Sequence, residues 1–253
     1  MTALLKDRVA LITGGCRGLG LAVARRFADA GAVGFALDAA PPAANAGLPD
    51  GFEFVAGDVR DELSIAAAVD ALARRRGGLD VVVANAGIVP PWRDTESLDF
   101  EEWDRVMAIN ARGVAATIKR ATPAMKAKGG SIVVMASINA FAAHPRQMLY
   151  TASKHAVLGI IRAAARDLGR FAIRVNAIAP GPIATDALVE RIRARARDGR
   201  GPGEREALEA LAADNALGRL ATADEVAKVA LFLASDLASG VTGELLPVDA
   251  GLP

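Results

Sequence analysis

Short apolar runs alternate along the chain with longer segments in which apolar residues recur at helical spacing. The apolar runs are rich in Val and Ile and lack a polar residue at every second position, which is typical of parallel strands covered on both faces. These runs predict seven strands, at 9–13, 33–37, 52–56, 81–84, 131–136, 173–178 and 245–248. The longer segments predict helices at about 18–30, 61–76, 99–128, 148–170 and 222–235.

The alternation of strand and helix predicts an α/β fold, in which helices cover both faces of a doubly wound parallel sheet of about seven strands, as in Rossmann-like proteins. A chain of 253 residues fits a single domain, 1–253. Residues 39–51 contain three prolines and two glycines, which leaves no room for a full crossover helix. Residues 186–214 are helical with a break at 199–203, and we expect them to form a two-piece flap over the substrate.

The composition argues against several classes of protein. Acidic and basic residues nearly cancel, to a net charge of +1, whereas a nucleic-acid-binding protein usually has a basic excess. One cysteine and two histidines allow no disulfide within the chain and no Cys-rich or His-rich metal site. No apolar run approaches the roughly 18 residues of a membrane helix, and the first ten residues do not resemble a signal peptide. We therefore expect a cytoplasmic protein that binds no nucleic acid, membrane or metal.

A glycine-rich turn links the first strand to the first helix, with the sequence Thr-Gly-Gly-Cys-Arg-Gly-Leu-Gly at 13–20. A diphosphate needs backbone N–H donors at a helix N-terminus and a close approach that side chains would obstruct. Gly14, Gly18 and Gly20 meet this need, and Arg17 and Leu19 lie in the same turn. The motif alone is also compatible with plain packing, but its position between a strand and a helix favours a dinucleotide site.

The residue that follows the second predicted strand is Asp38. A carboxylate there accepts hydrogen bonds from both ribose hydroxyls of NAD and repels the 2′-phosphate of NADP. Arg17 favours the opposite preference, because a guanidinium can pair with that phosphate. No basic residue follows Asp38 directly, so the sequence favours NAD over NADP as the cofactor.

The single cysteine, Cys16, lies in the glycine-rich turn near a helix N-terminus, where thiol pKa values tend to fall. The favoured interpretation is a small side chain that fits the turn. The alternative is a reactive thiol whose oxidation blocks cofactor binding.

The chain contains one tyrosine, Tyr150, and Lys154 follows it four residues later in a predicted helix. Residues at this spacing share one helix face. A phenol titrates near pH 10, and a cation held beside it favours the phenolate. General acid–base catalysis works best when the pKa lies near ambient pH. We therefore predict that Tyr150 transfers a proton and that Lys154, together with a positive nicotinamide ring, lowers its pKa.

Two further polar residues are candidates for the same site. Ser137 ends the fifth predicted strand, where an open α/β sheet places its ligands, and its hydroxyl could bond a substrate oxygen as charge develops. Asn110 interrupts an apolar helical pattern, and a buried amide there needs partners, such as a water leading to Lys154. Each feature alone has a non-catalytic explanation: a surface pair for Tyr150 and Lys154, a strand-end cap for Ser137, and a helix irregularity for Asn110. Their combination behind a cofactor turn favours catalysis.

Together these residues resemble the short-chain dehydrogenase/reductase family over essentially the whole chain. The motifs occur in the family's order: the turn at 13–20, Asn85-Ala86-Gly87, Asn110, Ser137, Tyr150 with Lys154, and Pro180-Gly181 with Thr185. Two departures are modest: the second crossover is short, and the end reads Val248-Asp249-Ala250-Gly251 where relatives often have two glycines.

The resemblance implies a role for each residue. Tyr150 would be the acid/base, and Lys154 would lower its pKa and hold the nicotinamide ribose. Ser137 would polarise the carbonyl, and Asn110 would anchor a proton-relay water. Asp58 and Val59 would contact the adenine. Ile183 and Thr185 would meet the carboxamide and phosphate. The implied cofactor site comprises Gly14, Arg17, Gly18, Leu19, Gly20, Asp38, Asp58, Val59, Asn85, Ala86, Gly87, Tyr150, Lys154, Pro180, Gly181, Ile183 and Thr185. Many relatives are tetramers, so a homotetramer is expected, with a dimer as the alternative.

Three segments are expected to wall the substrate cleft: 88–93, 138–148 and the flap at 186–214. The candidate substrate contacts are Trp92, Ser137, Asn139, His144 and Tyr150. Their mixture of apolar and hydrogen-bonding groups suits a polyol, a sugar, a hydroxy acid, or a cyclic or aryl alcohol. The arginines at 191–200 would attract an anionic substrate, although a solvated helix face is the favoured interpretation.

The sequence therefore predicts an enzyme, an NAD-dependent oxidoreductase that interconverts a secondary alcohol and its ketone. One alternative is an NADPH-dependent 3-oxoacyl-carrier-protein reductase, against which Asp38 argues. The other is a non-catalytic NAD(H)-binding regulatory protein, against which the intact set of Ser137, Tyr150 and Lys154 argues.

Overall fold

The computed structural model describes residues 3–44, 46–199 and 201–252, and the predicted sheet lies within this part of the chain. Its seven strands are β1 (Val9–Thr13), β2 (Val33–Asp38), β3 (Phe52–Ala56), β4 (Val81–Ala84), β5 (Gly130–Met135), β6 (Ile173–Pro180) and β7 (Leu245–Val248). Neighbouring strands pair in parallel in the order β3-β2-β1-β4-β5-β6-β7. The predicted doubly wound, Rossmann-like sheet is confirmed.

The α-helices of the described residues are α1 (Gly18–Asp29), α2 (Glu62–Arg76), α3 (Phe100–Met107), α4 (Gly113–Met125), α5 (Met148–Leu168), α6 (Asp186–Arg197), α7 (Glu204–Ala213) and α8 (Ala223–Ala234). The helical segment predicted at about 99–128 is confirmed over 100–125, and a π-helical turn at Ala108–Arg112 within it separates α3 from α4. Such turns insert an extra residue into a helix and are frequent at functional sites. None of the described helices is both long and apolar enough to span a bilayer.

The sheet carries an apolar core on each face, as the predicted layering requires. Successive strand residues point to opposite faces, so Leu11 packs with residues of α2, α4 and α5, whereas Ile12 packs with residues of α1 and α8. The strands are buried on both sides for this reason. Their unbroken Val-rich and Ile-rich runs are therefore a consequence of layering rather than of local propensity.

The chain reverses its winding direction between β1 and β4, which are neighbours in the sheet although two strands separate them in sequence. A crevice forms outside the carboxyl ends of the strands at such a switch point, and open α/β sheets bind their ligands there. The segments that follow β1, β2, β4, β5 and β6 all leave the sheet at this edge.

The two irregular connections lie where the sequence predicts them. Among the described residues of 39–51 there is no helix between β2 and β3. The segment 186–214 forms two helices, α6 and α7, separated by 198–203. A salt bridge of 2.6 Å between Arg193 of α6 and Glu204 of α7 ties the two pieces together. The segment lies over the carboxyl edge of the sheet, and both helices contribute residues to the cavity described next.

Candidate active site

A large cavity of about 1740 Å³ opens at the carboxyl edge of the sheet. It exceeds the ~300–1,000 Å³ of an ordinary small-molecule pocket, and so has room for a dinucleotide beside a second ligand. Apart from Gly20 and Asn110, every residue predicted for the cofactor, the catalytic step or the substrate lines it. These lining residues are Gly14, Arg17, Gly18, Leu19, Asp38, Asp58, Val59, Asn85, Ala86, Gly87, Trp92, Ser137, Asn139, His144, Tyr150, Lys154, Pro180, Gly181, Ile183 and Thr185.

The three motif glycines of the turn after β1 serve different purposes. A Cβ at Gly20 would lie 2.1 Å from the Gly14 carbonyl oxygen, and a Cβ at Gly14 would lie 2.9 Å from Cα of Ala86, so both are required by packing. Gly18 has a φ of +51°, and its Cβ would meet no atom within 4 Å. It begins α1, whose N-cap residue Arg17 makes no side-chain cap. The turn thus presents uncapped helix N–H groups to open space, which fits a phosphate-bearing cofactor.

A hydrogen-bond cluster fixes this turn to the end of β4. The Asn85 amide donates to the carbonyl oxygens of Thr13 (3.0 Å) and Gly14 (2.9 Å). The Thr13 hydroxyl accepts from the backbone N–H groups of Asn85 (3.1 Å) and Ala86 (3.2 Å). Asn85 therefore contributes to the cavity by fixing the position of the glycine-rich turn. The sequence does not indicate this role of Thr13, because a strand-end threonine has no distinctive pattern.

Asp38 ends β2 with a buried carboxylate that lines the cavity. It accepts hydrogen bonds from the backbone N–H groups of Cys16 (3.2 Å) and Ala40 (3.4 Å). Arg17 lies 3.9 Å away with a side chain that is 79% exposed, against 5% for Asp38. The two groups that favour opposite cofactors are thus neighbours, and the carboxylate is the one that the fold holds in place.

Cys16 is buried, with 2% of its surface exposed. Burial, followed by the nearby negative charge of Asp38, raises the pKa of its thiol to about 11. The lowered thiol pKa that the reactive-thiol alternative requires is not found at this helix N-terminus, because desolvation of the thiolate outweighs the favourable charges of the turn. The preferred interpretation, a small side chain that fits, agrees with the structure.

The remaining predicted cofactor residues surround the two ends of the cavity. Asp58 forms a 2.6 Å salt bridge with Arg60, whose hydrogen bond lowers the pKa of the carboxyl, and Val59 is buried beside it. Beyond β6, Gly181 leaves no room for a side chain, since a Cβ would lie 2.7 Å from Cβ of Asp249. Thr185 precedes α6 without capping it. Pro180 ends β6, and Ile183 is buried and bridges to Ala221.

Asn110 lies in the π-helical turn and is fully buried. Its amide accepts from the Ile88 N–H (2.8 Å), and donates to the Ile88 carbonyl oxygen (2.8 Å) and to the Ser153 hydroxyl (3.2 Å). Ser153 in turn donates to the Tyr150 carbonyl oxygen at 2.8 Å. Asn110 therefore connects the segment after β4 with the first turns of α5. The proton-relay role implied by the resemblance stays a prediction.

Ser137 follows the end of β5 by two residues and caps a short 3-10 helix, Ile138–Ala140, by accepting from the Asn139 N–H at 3.2 Å. Its hydroxyl is close enough to the Tyr150 phenol to lower the pKa of that group by hydrogen bonding. Asn139 is buried, and its amide donates to Gln147 (3.2 Å) and Thr151 (3.0 Å). The predicted substrate contact Asn139 is therefore also a brace for the loop that holds Ser137.

Tyr150 and Lys154 share one face of α5, as their spacing predicts. The Lys154 ammonium lies 5.7 Å from the centre of the Tyr150 ring and donates to the Met135 carbonyl oxygen at 3.0 Å. Burial lowers the pKa of Lys154 to about 8. Burial also raises the pKa of Tyr150, against smaller lowering effects from Ser137 and the charge of Arg191. The predicted direction of the phenol pKa is thus reversed in the protein alone, because desolvation of the phenolate is the largest effect.

The three segments predicted to wall the substrate cleft all contribute residues to the cavity. Trp92 is 37% exposed and lies between two guanidinium groups, with Arg195 at 4.2 Å and Arg146 at 5.9 Å from its ring centre. His144 is half-buried, and its Nε2 atom is buried without a hydrogen-bond partner among the described residues.

Arg191 of α6 is one of the cavity residues that the sequence-based site missed. The favoured interpretation of 191–200 as a solvated face holds for Arg193 and Arg197, which are exposed, but not for Arg191. Arg191 is half-buried, burial lowers its pKa, and its charge interacts with the Tyr150 phenol. A helical run of arginines gives no indication of which member points inward until the position of the helix is known.

Comparison with known proteins identifies the family. A family model described as enoyl-(acyl carrier protein) reductase matches residues 14–253. Short-chain dehydrogenase reductase 4 of Arabidopsis thaliana is 38% identical over 98% of this chain and 83% of that protein. Cis-4-hydroxycyclohexanecarboxylate dehydrogenase of Sinomonas cyclohexanicum is 40% identical over 97% of this chain and 96% of its own. Carveol dehydrogenase from Mycobacterium avium, solved in complex with NAD, is 33% identical with a TM-score of 0.90 over 99% of both chains. The chain belongs to the short-chain dehydrogenase/reductase family.

Proposed function

We propose that this protein is an NAD-dependent dehydrogenase that interconverts a cyclic secondary alcohol and its ketone. The observation that carries the proposal is the position of the Tyr150 phenol beside the Ser137 hydroxyl, with Lys154 one helical turn away, in the same cavity as the glycine-rich turn. A binding protein has no need for two adjacent hydroxyls and a desolvated lysine at one point of its cavity. The non-catalytic alternative is therefore disfavoured.

The residues divide the chemistry between them. Bound NAD(H) supplies or accepts the hydride. Ser137 donates a hydrogen bond to the substrate oxygen, where negative charge develops during ketone reduction. The Tyr150 phenol, which burial keeps protonated at neutral pH, donates its proton to that oxygen, and the phenolate takes a proton from the alcohol in the reverse direction. Lys154 stabilises the phenolate with its charge and is itself held by the Met135 carbonyl oxygen.

The preference for NAD rests on Asp38. Its buried carboxylate is fixed by two backbone N–H groups at the end of β2, where it can accept from ribose hydroxyls. A 2′-phosphate placed there would face a charge that cannot swing away. The exposed Arg17 can move towards solvent, so it does not reverse the preference. The same reasoning disfavours the NADPH-dependent 3-oxoacyl-carrier-protein reductase.

The choice of a cyclic alcohol rests on the relatives and on the cavity walls. One relative is named for a hydroxycyclohexane substrate and a solved neighbour for carveol. In this chain, apolar side chains that include Ile88, Trp92 and Leu188 line the cavity together with a few hydrogen-bonding groups. Such a lining suits a compact ring with one or two polar substituents. Helices α6 and α7 serve as the flap over this substrate.

The test is a panel of secondary alcohols assayed for NAD reduction: cyclohexanols, monoterpenols, polyols, sugars, hydroxy acids and aryl alcohols. We expect cyclic alcohols to be oxidised with NAD at a higher kcat/KM than with NADP. If purified protein binds NADH but oxidises no alcohol and reduces no matching ketone, the proposal is wrong. The non-catalytic binding-protein alternative is then favoured. Faster reduction of 3-oxoacyl thioesters with NADPH than of cyclic ketones with NADH would favour the carrier-protein reductase.

A further inference from the structure

Seven arginines line the cavity, and six of them have a partner in the described residues. Arg17 lies 3.9 Å from Asp38, Arg60 lies 2.6 Å from Asp58, and Glu102 receives both Arg93 (2.9 Å) and Arg105 (3.7 Å). Arg146 and Arg195 stack on Trp92. The seventh is Arg191, for which no carboxylate among the described residues lies within ion-pair distance.

The lack of a carboxylate partner is unfavourable for Arg191 in the free protein because of where its side chain lies. The side chain is half-buried beneath the flap, and the loss of water lowers its pKa. A charge that is withdrawn from water without a counter-charge is unfavourable, and a ligand that supplies the missing charge recovers the lost interaction. By contrast, Arg193 on the same helix is exposed and bonded to Glu204 at 2.6 Å.

The group with which Arg191 interacts shows where in the cavity an anionic ligand group would bind. Its electrostatic partner is the Tyr150 phenol, at the point where the substrate oxygen reacts. The glycine-rich turn that faces the cofactor phosphates follows β1, two strands away from β5 and Ser137 in the sheet. The anion is therefore part of the substrate rather than of the cofactor.

The shape of the guanidinium of Arg191 favours a carboxylate as the anion. A guanidinium has a planar pair of donors that matches the two oxygens of a carboxylate. A phosphate monoester carries nearly two charges and is best matched by two cations, whereas Lys154, the other cation beside Tyr150, is assigned to the phenolate.

We propose that Arg191 binds a carboxylate of the substrate, so that the cyclic alcohol or ketone on which this enzyme acts is a hydroxy acid or keto acid rather than a neutral compound. The inference rests on the proposed function for the position of the reacting carbon at Tyr150. The carboxylate subsite itself is a property of α6 and can be measured without turnover.

The experiment measures the binding of unreactive ligand pairs to the enzyme–NADH complex by isothermal titration calorimetry. The pairs are cyclohexanecarboxylate with cyclohexanecarboxamide, and butyrate with butyramide, with cyclohexyl phosphate as a third anion. Arg191→Gln removes the charge under test. Arg197→Gln removes the same charge from an exposed position of the same helix that does not line the cavity, and it serves as the matched control. Thermal melts establish that each variant is folded.

We expect at least one acid to bind the parent protein about 10-fold to 100-fold tighter than its amide, the range for a charge-assisted bidentate pair. Arg191→Gln should abolish that difference, Arg197→Gln should keep it, and the affinity for NADH should stay within about threefold. Equal binding of every acid and its amide overturns the inference. So does a large loss of NADH affinity in Arg191→Gln, which would assign the arginine to the cofactor, and tighter binding of the phosphate than of both acids.

The inference and the proposed function fail in different experiments. A protein that binds acids through Arg191 but oxidises no alcohol contradicts the proposed function alone. A protein that oxidises neutral cyclic alcohols as well as their carboxylated counterparts, with no effect of Arg191→Gln, contradicts the carboxylate subsite alone.

Discussion

The side chain of Asn110 accepts a hydrogen bond from the Ile88 N–H and donates one to the Ile88 carbonyl oxygen, both at 2.8 Å. This pairing joins the π-helical turn after α3 to the segment that follows β4. Since that segment forms one wall of the cavity, the buried Asn110 amide helps to fix the position of the wall.

Asn110→Ala should therefore lower the free energy of unfolding by about 2–4 kcal/mol, because it leaves buried backbone groups of Ile88 without partners. Denaturant unfolding with a two-state fit measures this loss. Ser153→Ala is the matched control, since it removes only the 3.2 Å bond to Asn110 and the bond to the Tyr150 carbonyl oxygen. We expect it to cost about 0.5–1.5 kcal/mol. Equal stability of Asn110→Ala and the parent would show that the pairing with Ile88 contributes little.

Tyr150→Phe removes the phenol oxygen and nothing else. We expect turnover of any alcohol substrate to fall at least about 100-fold, the low end for the loss of an acid–base group. NADH affinity should be nearly unchanged, because the ring and Lys154 remain. Steady-state kinetics and fluorescence titration with NADH measure the two quantities. Turnover within tenfold of the parent would refute the assignment of Tyr150.

The ionisation of Tyr150 can be observed directly, because the chain contains no other tyrosine. Burial raises the phenol pKa above its ordinary value of 10.0, so phenolate absorption should appear only above pH 10 in the protein alone. Addition of NAD should lower the midpoint, since the positive nicotinamide ring favours the phenolate. Ultraviolet absorption as a function of pH follows this change, with Tyr150→Phe as the blank and circular dichroism as the check on folding. A midpoint near neutrality without NAD would contradict the raised pKa.

The same direction of shift gives a pH dependence for the two reactions. A raised phenol pKa means that the protonated form dominates at neutral pH, so ketone reduction should proceed there at full rate. Alcohol oxidation needs the phenolate, and its kcat/KM should increase as pH rises from 7 towards the pKa in the complex. Initial rates in both directions over this range provide the test. An oxidation rate that falls with pH while the protein stays folded would exclude the phenol as the base.

Asp38→Asn removes the charge at the end of β2 and keeps an acceptor for the Cys16 N–H. We expect the ratio of kcat/KM with NAD to that with NADP to fall at least about tenfold, equivalent to about 1.4 kcal/mol. Arg17→Ala is the comparison variant, because it removes the exposed neighbour of the same carboxylate. If the ratio is unchanged in Asp38→Asn and altered in Arg17→Ala, the arginine determines the cofactor preference.

Cys16 should react slowly with thiol reagents. With a pKa raised to about 11, the thiol is almost entirely protonated at pH 8, and only 2% of the residue is exposed. Alkylation by iodoacetamide, followed by mass spectrometry, should be at least about 100-fold slower than in the denatured protein, whose thiol titrates near pH 8.5. Rapid alkylation of the native protein, or loss of NADH binding after brief peroxide treatment, would restore the reactive-thiol alternative.

The sequence alone determined the elements that depend on local pattern and layering. The seven strands coincide with their predicted positions to within one or two residues, because a strand buried on both faces must be apolar throughout. The sequence also predicted the glycine-rich turn, Asp38 and the pair Tyr150 and Lys154, since each depends on short spacing and on the order of elements. The break between α6 and α7 was visible as a cluster of glycines.

Only the tertiary structure decided the features that depend on distant neighbours. The π-helical turn at Asn110 exists because its amide pairs with Ile88, 22 residues away. The spacing of apolar residues along a helix does not reveal such a long-range pairing. The pKa of Cys16 and of Tyr150 rise because burial removes water from both groups, which outweighs the charges that are adjacent in sequence. Arg191 faces the cavity only because of the way in which α6 lies over the sheet. Burial and long-range pairing are set by the packed fold, so a local pattern can name the chemical groups but cannot assign their environment.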